Sequence, residues 1–529
     1  MQGASHPRLT SPQRHALGLI LIIGCAALAV HVLWLPQILV DDAFISFRYA
    51  RNLADGHGLT FNPPERVEGY SNALWVLITA LGMRCNLDPI PWTRSLGAAA
   101  LMGTLITAVL LTRRLTGTRW AAPVVAILIA ASTALCGASM AGLETGLYMF
   151  LLTAAIATAA TDRPWIASIL MGLAALTRPE GAALCLIAIA LAALFRNHGS
   201  TPRRISALTL PCGLLVAASI LFRLWYFGDW LPNSVRAKSA MLPLLASADP
   251  ADWPSLIFNQ PGLAYVTNFL RYAFGPVVLF AIVPLFRART HRFAAALMLA
   301  TVAMAGAVAI YNFGDWMSSF RLLAPYLPIL SILVIWGMAE TICWSREKQW
   351  QALSAISPLL VAGLILYCAL GQFQWRRPSV LANPDAEIAA ALNASHQPNL
   401  LAATDVLGRL GFYAPHIPIL DMAGLTDRTI ATHGQPRPPF GRSDFDYVLE
   451  QRPHLIMNNV RSAWTRRLAR PDFVKNYWWL DNPSWTHPDP QTARQRTVFV
   501  RRGTQLETEL RARYPQAHLR PPTDLTTHE

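Results

Sequence analysis

The chain has 529 residues, of which 53% are hydrophobic and 14% charged, with a mean hydropathy of +0.33 and a formal net charge of +14. Soluble domains carry about 25% charged residues, so composition argues against a soluble, fibrous or disordered chain. The basic excess does not mark a nucleic-acid binder either, because the charges are unevenly placed: residues 1–370 hold 25 basic and 15 acidic residues, and residues 371–529 hold 19 and 15. The first part reads as a membrane body and the second as a soluble domain.

A spanning helix needs about 20 mostly apolar residues. Eleven stretches qualify as candidates: 17–39, 93–112, 121–138, 143–160, 164–177, 181–195, 205–224, 272–286, 293–312, 322–341 and 352–370. Two of them, 164–177 and 181–195, are short and separated by Arg178-Pro179-Glu180-Gly181. The apolar stretch 72–83 is too short to span and is expected to be a juxtamembrane or re-entrant helix. Basic residues recur at alternate turns: Arg8 and Arg14, then Arg113, Arg114 and Arg119, Arg163, Arg196 with Arg203 and Arg204, Arg287 to Arg292, and Arg346 with Lys348. That pattern places the N-terminus in the cytoplasm and the soluble tail outside the inner membrane. No cysteine follows residue 370, so the exported domain is expected to fold without disulfides.

Polar groups cluster in the outer segments. The first, from residue 40 to 72, opens with Asp41-Asp42 where the first span leaves the bilayer. If 42–55 is a helix, Asp41, Ile45, Arg48 and Asn52 share one face, and Asp42, Ser46 and Tyr49 the next. Adjacent carboxylates raise each other's proton affinity, which suits a base or a divalent-ion site (Mg or Mn). A helix cap is the competing explanation. His57, Glu68, Tyr70 and Asn72 follow in the same segment, a mixture that suits sugar hydroxyls and also any interfacial loop. Four further outer elements carry Glu144; Arg178 and Glu180; Asp229, Asn233 and Lys238; and Asp315 and Arg321. Charges at membrane depth are functional candidates by default, and acids and bases at these loops suggest one shared cavity.

The run from Asp41 to Asn52, with Gly56-His57-Gly58-Leu59-Thr60-Phe61-Asn62 and Val67-Glu68-Gly69-Tyr70-Ser71-Asn72, resembles the opening loop of a family of polytopic GT-C glycosyltransferases. Its members include the terminal arabinofuranosyltransferases of mycobacterial cell walls and the pilin arabinosyltransferases of Gram-negative bacteria. The likeness continues through Gly142-Leu143-Glu144-Thr145, Leu176 to Gly181, Gly228-Asp229-Trp230-Leu231-Pro232-Asn233, Gly314-Asp315 and Arg321 to Pro325, and reaches Asp421 to Asp427. It implies a C-type fold: an α-helical polytopic membrane body of about eleven spans with a C-terminal α/β domain. It implies transfer of a pentofuranose, D-arabinofuranose first, from decaprenyl or undecaprenyl phosphate to a glycan or glycoprotein, in cell-envelope biogenesis. The catalytic aspartate is then Asp41 or Asp42. Lys238, Arg321 and Arg178 are expected at the donor phosphate. Arg48, Tyr49, His57, Glu68, Tyr70, Asn72, Glu144, Glu180, Asp229, Asn233 and Asp315 are expected near sugar or acceptor. Another lipid-linked sugar, for lipid A, O-antigen or pilin, is the alternative. A lipid-sugar transporter is more distant, since no inverted repeat is visible.

In the tail, strands are expected at 399–405, 417–421 and 454–458 and a helix at 384–394, giving a small α/β sheet. Asp405, Asp421 and Asp427 fall at strand ends, where they suit ligands or caps. Tyr477-Trp478-Trp479 and Trp485 suit a sugar platform or a core. The last 25 or so residues are expected to be loosely held.

Overall fold

The computed structural model describes residues 11–34, 39–195, 201–239, 241–258, 260–315, 317, 320–349, 363–364, 367, 384–437, 441–459, 465–482, 485 and 496–527. The expected span at 352–370 and the domain boundary at 370–371 lie largely outside these residues.

The membrane body begins with α1 (Ser11–Trp34), then α2 (Asp41–Ala54), α3 (Ala73–Arg84) and α4 (Pro89–Thr116). It continues with α5 (Ala121–Ala130), α6 (Thr133–Met140), α7 (Thr145–Ala160), α8 (Pro164–Thr177), α9 (Gly181–Leu194), α10 (Thr201–Tyr226) and the short α11 (Asn233–Lys238). After α12 (Met241–Ser247), α13 (Trp253–Phe258), α14 (Pro261–Ala273) and α15 (Val283–Arg287) come the long helices α16 (Arg292–Tyr311) and α17 (Leu327–Glu347). Among the described residues five helices are long and apolar enough to cross a membrane, or seven if two bent pairs each count as one span. One bent pair is α5 with α6, broken by 53° at Ala131-Ser132. His31 Nδ1 lies 2.8 Å from the Ala130 carbonyl that this break frees, as a membrane interior requires.

The span expected at 272–286 is not one straight helix. Gly275 takes a positive φ of 54° and opens a 3-10 turn over Gly275–Ile282, so this segment bends 93° from the one before it. Helices α7, α8 and α9 have 16, 14 and 14 residues. At about 1.5 Å per residue each falls short of the roughly 30 Å hydrocarbon core. They pack against one another and α10. Helix α17 is the centre: from Leu327 to Ala339 it is buried without a break. Small residues bring helices together, since a Cβ on Gly97 would collide with the Ser139 carbonyl and one on Gly337 with that of Phe280.

The C-terminal domain has a six-stranded sheet in the order β2-β1-β5-β7-β6-β8. These strands are β1 (Ala402–Thr404), β2 (Ile419–Asp421), β5 (Leu455–Asn459), β6 (Tyr477–Asp481), β7 (Arg496–Arg501) and β8 (His518–Arg520). A separate hairpin pairs β3 (Gln435–Arg437) with β4 (Gly441–Ser443). β1 is parallel to β2 and β5, and the other ladders of the large sheet are antiparallel. Helices α18 (Asp385–Ala394), α19 (Leu407–Tyr413) and α20 (Arg428–His433) follow the expected α/β pattern. From residue 505 the chain adds a last helix and a last strand. Thr504 caps a helix over Gln505–Arg513 that buries Leu506 and Leu510, and β8 then pairs with β6.

The two parts are stitched together by α2 and α19, which pack against each other. Both Asp41 carboxylate oxygens accept backbone N–H bonds from the first turn of α19, from Gly408 at 2.8 Å and Arg409 at 2.9 Å. At the other end, Arg48 Nη1 donates to the Gly411 carbonyl and Arg51 Nη1 to that of Phe412. A carboxylate thus serves the N-terminus of α19 and guanidinium groups its C-terminus, complementing the helix dipole. Asn62 bonds both the N–H and the C=O of Ile419 on the edge strand β2, covering an edge that would otherwise be open.

Candidate active site

A cavity of about 340 Å³ opens where the loops between α8 and α9, after α10, and between α16 and α17 meet α2. That volume lies in the range of small-molecule sites. Asp42, Tyr70, Asn72, Glu144, Arg178, Glu180, Lys238, Asp315 and Arg321 all line it, together with Ser46, Ser234, Tyr311, Asn312 and apolar Ile45, Leu143, Val308 and Leu322. Leu425, from the loop after β2, completes the wall.

Local structure explains each placement. Arg178 is extended (φ −151°, ψ 135°) because α8 ends there, and Pro179 forbids the helix from continuing. Gly181 restarts it as α9, and a Cβ at that position would collide with the backbone of Ala174 and Ala175. Gly142, at a φ of 81°, turns the chain so that Glu144 sits at the head of α7. Asn72 joins the segments, donating to Glu144 Oε2 at 2.9 Å and exchanging bonds with Ser46.

Each arginine stands between two carboxylates. Arg321 Nε is 3.1 Å from Asp315 Oδ2 and its Nη1 3.4 Å from Asp42 Oδ2. Arg178 Nε is 3.2 Å from Glu180 Oε1 and 3.6 Å from Glu144 Oε1. Burial opposes both charges, but the carboxylates outweigh it and hold both guanidinium groups above their ordinary pKa. Arg178 Nη1 and Ser234 Oγ are buried with no hydrogen-bond partner among the described residues. Buried donors are normally satisfied, so two in one cavity point to a ligand with acceptor oxygens. Lys238 has no carboxylate partner among the described residues. Of the four cavity carboxylates, Asp42 is the most accessible, at 21% side-chain exposure against 14% for Glu180, 9% for Glu144 and 5% for Asp315.

The structure does not gather the remaining expected residues here. Asp41 points its carboxylate at α19, as described, so Asp41 and Asp42 do not form a joint site. Among the described residues no group of three or more His, Cys, Asp or Glu is arranged to hold a metal ion. Arg48 is buried and donates to the carbonyls of Phe61, Gly411 and Ile417. Burial pushes its pKa down to about 9, which still leaves it charged at neutral pH. Tyr49 donates to the Val67 carbonyl and accepts from Gly69 N–H. His57 is exposed on the surface. Glu68 pairs with Arg223 Nε through both oxygens, at 2.9 and 3.1 Å, and burial pushes it up to about 7 against that pair. Asp229 holds Arg236 at 2.6 Å. The side-chain amide of Asn233 donates to the carbonyls of Gly424, Leu425 and Asp427.

In the C-terminal domain, Asp421 closes the turn to Thr426 and Asp427 caps α20, so both are structural. The aromatic row is not an open platform either: Tyr477 is buried, Arg502 covers the Trp478 ring at 3.4 Å, and Trp485 donates to Glu387. Sequence reasoning missed Ser46, Ser234, Tyr311 and Asn312 as site residues. Ser234 carried a signal, being four residues before Lys238 on a short helix. Ser46 carried one too, sharing a helix face with Asp42, whereas Tyr311 and Asn312 are inconspicuous residues beside apolar runs.

A solved structure shares this architecture. ArnT from Cupriavidus metallidurans in the apo state matches with a TM-score of 0.51, over 94% of this chain and 99% of the ArnT chain, at 16% sequence identity. ArnT from the same organism bound to undecaprenyl phosphate matches with a TM-score of 0.48, over 91% and 97% of the two chains, at 14% identity. Residues 371–512 match the model of a domain of unknown function (DUF8728). No curated protein is significantly similar in sequence. The GT-C architecture expected from the first loop is the architecture found: a helical membrane body with a C-terminal α/β domain.

Proposed function

We propose that this protein is a membrane glycosyltransferase that moves a sugar from a polyprenyl-phosphate donor to a glycan or protein acceptor at the outer face of the inner membrane. One observation carries the reading: the accessible carboxylate of Asp42 shares a cavity at the ends of apolar helices with Arg178, Lys238 and Arg321. A phosphate on a lipid tail is presented at that depth, and charge-assisted bonds from these side chains suit its oxygens. Lys238 meets it without giving up an ion pair.

In the reaction, the acceptor hydroxyl oxygen bonds to the anomeric carbon. The bond from that carbon to the phosphate oxygen breaks, its electron pair leaving with the polyprenyl phosphate. Asp42 takes the hydroxyl proton if the anomeric centre inverts, and stabilises the cationic sugar if it is retained. The cations offset charge gathering on the leaving group. Asn72, Glu144, Glu180 and Tyr70 face the sugar or acceptor. The likeness to ArnT supports the C-type architecture.

The finer reading is D-arabinofuranose as the sugar, which rests on the first-loop resemblance. The fold likeness to ArnT favours, as a second reading, another lipid-linked sugar. The basic turns support a cytoplasmic N-terminus. The shared side of cavity and C-terminal domain supports an extracytoplasmic site. The test is turnover of a panel of polyprenyl-phosphate sugars by the purified protein in nanodiscs, with membrane glycans as acceptor. Release of polyprenyl phosphate from the arabinofuranosyl donor, faster than from the others, is expected. No turnover of any donor by folded protein overturns the proposal.

A further inference from the structure

The helix that brings Ser234 and Lys238 to the cavity is fastened by the C-terminal domain. α11 has six residues, too few to be stable alone in water. It packs against α20 and β4, both elements of that domain. At its first residue, Asn233 donates to three carbonyls of the loop after β2, at 3.0, 3.0 and 3.2 Å. At its other end, Arg442 of β4 donates from Nη2 to the Ser239 carbonyl at 3.3 Å, while its Nη1 holds Gly434 at 3.1 Å. A guanidinium at a helix C-terminus satisfies an orphan carbonyl and complements the dipole. Arg428 of α20 adds a bond to the Phe227 carbonyl in the connection leading to α11.

Ser234 and Lys238 are four residues apart and so share one face of α11, and both line the cavity. Leu425, whose carbonyl Asn233 holds, lines it too. One bond network therefore sets the position of a cavity wall from each part of the protein.

We propose that the C-terminal domain is part of the donor site, with Asn233 and Arg442 as positioning residues that hold Ser234 and Lys238 toward the lipid phosphate. This rests on the phosphate reading given under Proposed function. Donor affinity then depends on the C-terminal domain before any acceptor arrives.

The experiment measures binding of undecaprenyl phosphate to the full-length protein in nanodiscs by native mass spectrometry. The variants are Lys238→Met, Arg442→Met, Asn233→Ala, Arg442→Lys and the pairs with Lys238→Met, each checked for an unchanged melting profile. Loss of one charge-assisted contact predicts weakening of roughly tenfold or more for Lys238→Met. Arg442→Met and Asn233→Ala are expected to approach that loss, and each double variant to bind no worse than about twofold below Lys238→Met alone. Arg442→Lys, which keeps a donor for Ser239, is expected to restore most of the affinity. If Lys238→Met weakens binding but Arg442→Met and Asn233→Ala do not, or if the losses multiply, the positioning role is overturned and the phosphate reading stands. If Lys238→Met leaves binding unchanged, the phosphate reading fails and takes this inference with it.

Discussion

Asp41 and Asp42 are neighbours of identical chemistry, and their asparagine variants are expected to fail in different ways. Asp42→Asn keeps the shape and leaves Arg321 an oxygen to bond, with Asp315 still 3.1 Å from its Nε. What is lost is the carboxylate proposed to accept the proton. General-base loss costs about 10²–10⁴ in rate, or about 3–5 kcal/mol of barrier at 1.36 kcal/mol per decade. Removing a negative charge 3.4 Å from Arg321 also frees that guanidinium for phosphate, so donor affinity is expected to hold or rise. Asp41→Asn instead removes a charged cap whose two oxygens serve Gly408 and Arg409. One oxygen remains to accept, so the expected cost is about 1–2 kcal/mol of stability, with kcat changed only a few-fold. The assay pairs single-turnover release of polyprenyl phosphate with thermal unfolding of both variants in nanodiscs. Wild-type-like kcat in Asp42→Asn, or collapse of kcat in folded Asp41→Asn, refutes the assignment.

Other substitutions test the architecture. Arg48→Met is expected to strand the carbonyls of Phe61, Gly411 and Ile417, costing about 3–5 kcal/mol; limited proteolysis should then release the C-terminal domain, and an unchanged digest contradicts this. Glu68 is raised from 4.5 to about 7 by burial, so its ionisation opposes folding. Its contribution is full below about pH 4.5 and lost as pH rises through about 7, by roughly 3 kcal/mol at 1.36 kcal/mol per unit. Glu68→Gln should flatten the melting temperature over that window, and a parallel profile in wild type and variant counts against it. Gly181→Ala is expected to force α9 away from the backbone of α8 and misplace Arg178 and Glu180, lowering both kcat and donor affinity; wild-type kinetics would show that the helix junction gives way freely.

Much of the lining of the candidate site was legible because its elements are local. Asp42, Glu144, Arg178, Glu180, Lys238, Asp315 and Arg321 are charges interrupting apolar sequence, and charge is costly at membrane depth unless it has work to do. Five of the eleven expected spans were legible in the same way, since length and hydropathy alone define α1, α4, α10, α16 and α17. The bend at Gly275 was less so, because its φ depends on how the 3-10 turn packs on α17. Tyr311 and Asn312 stayed hidden because polar residues beside apolar runs are common, and only the fold turns these toward one cavity.

The sequence by itself determined a membrane body, a separate α/β sheet and a set of outer-loop charges, all of which follow from local composition and period. Tertiary structure alone decided the roles within that set. Successive helix residues diverge by about 100°, so one of two adjacent aspartates had to turn away from the cavity. Which one turned was fixed by α19, more than 350 residues later, whose first-turn N–H groups claimed Asp41. Arg48, Asn62 and Asn233 were claimed in the same way by backbone groups of the C-terminal domain. Buried backbone polar groups must find partners, and which side chains supply them depends on contacts that residue order does not reveal.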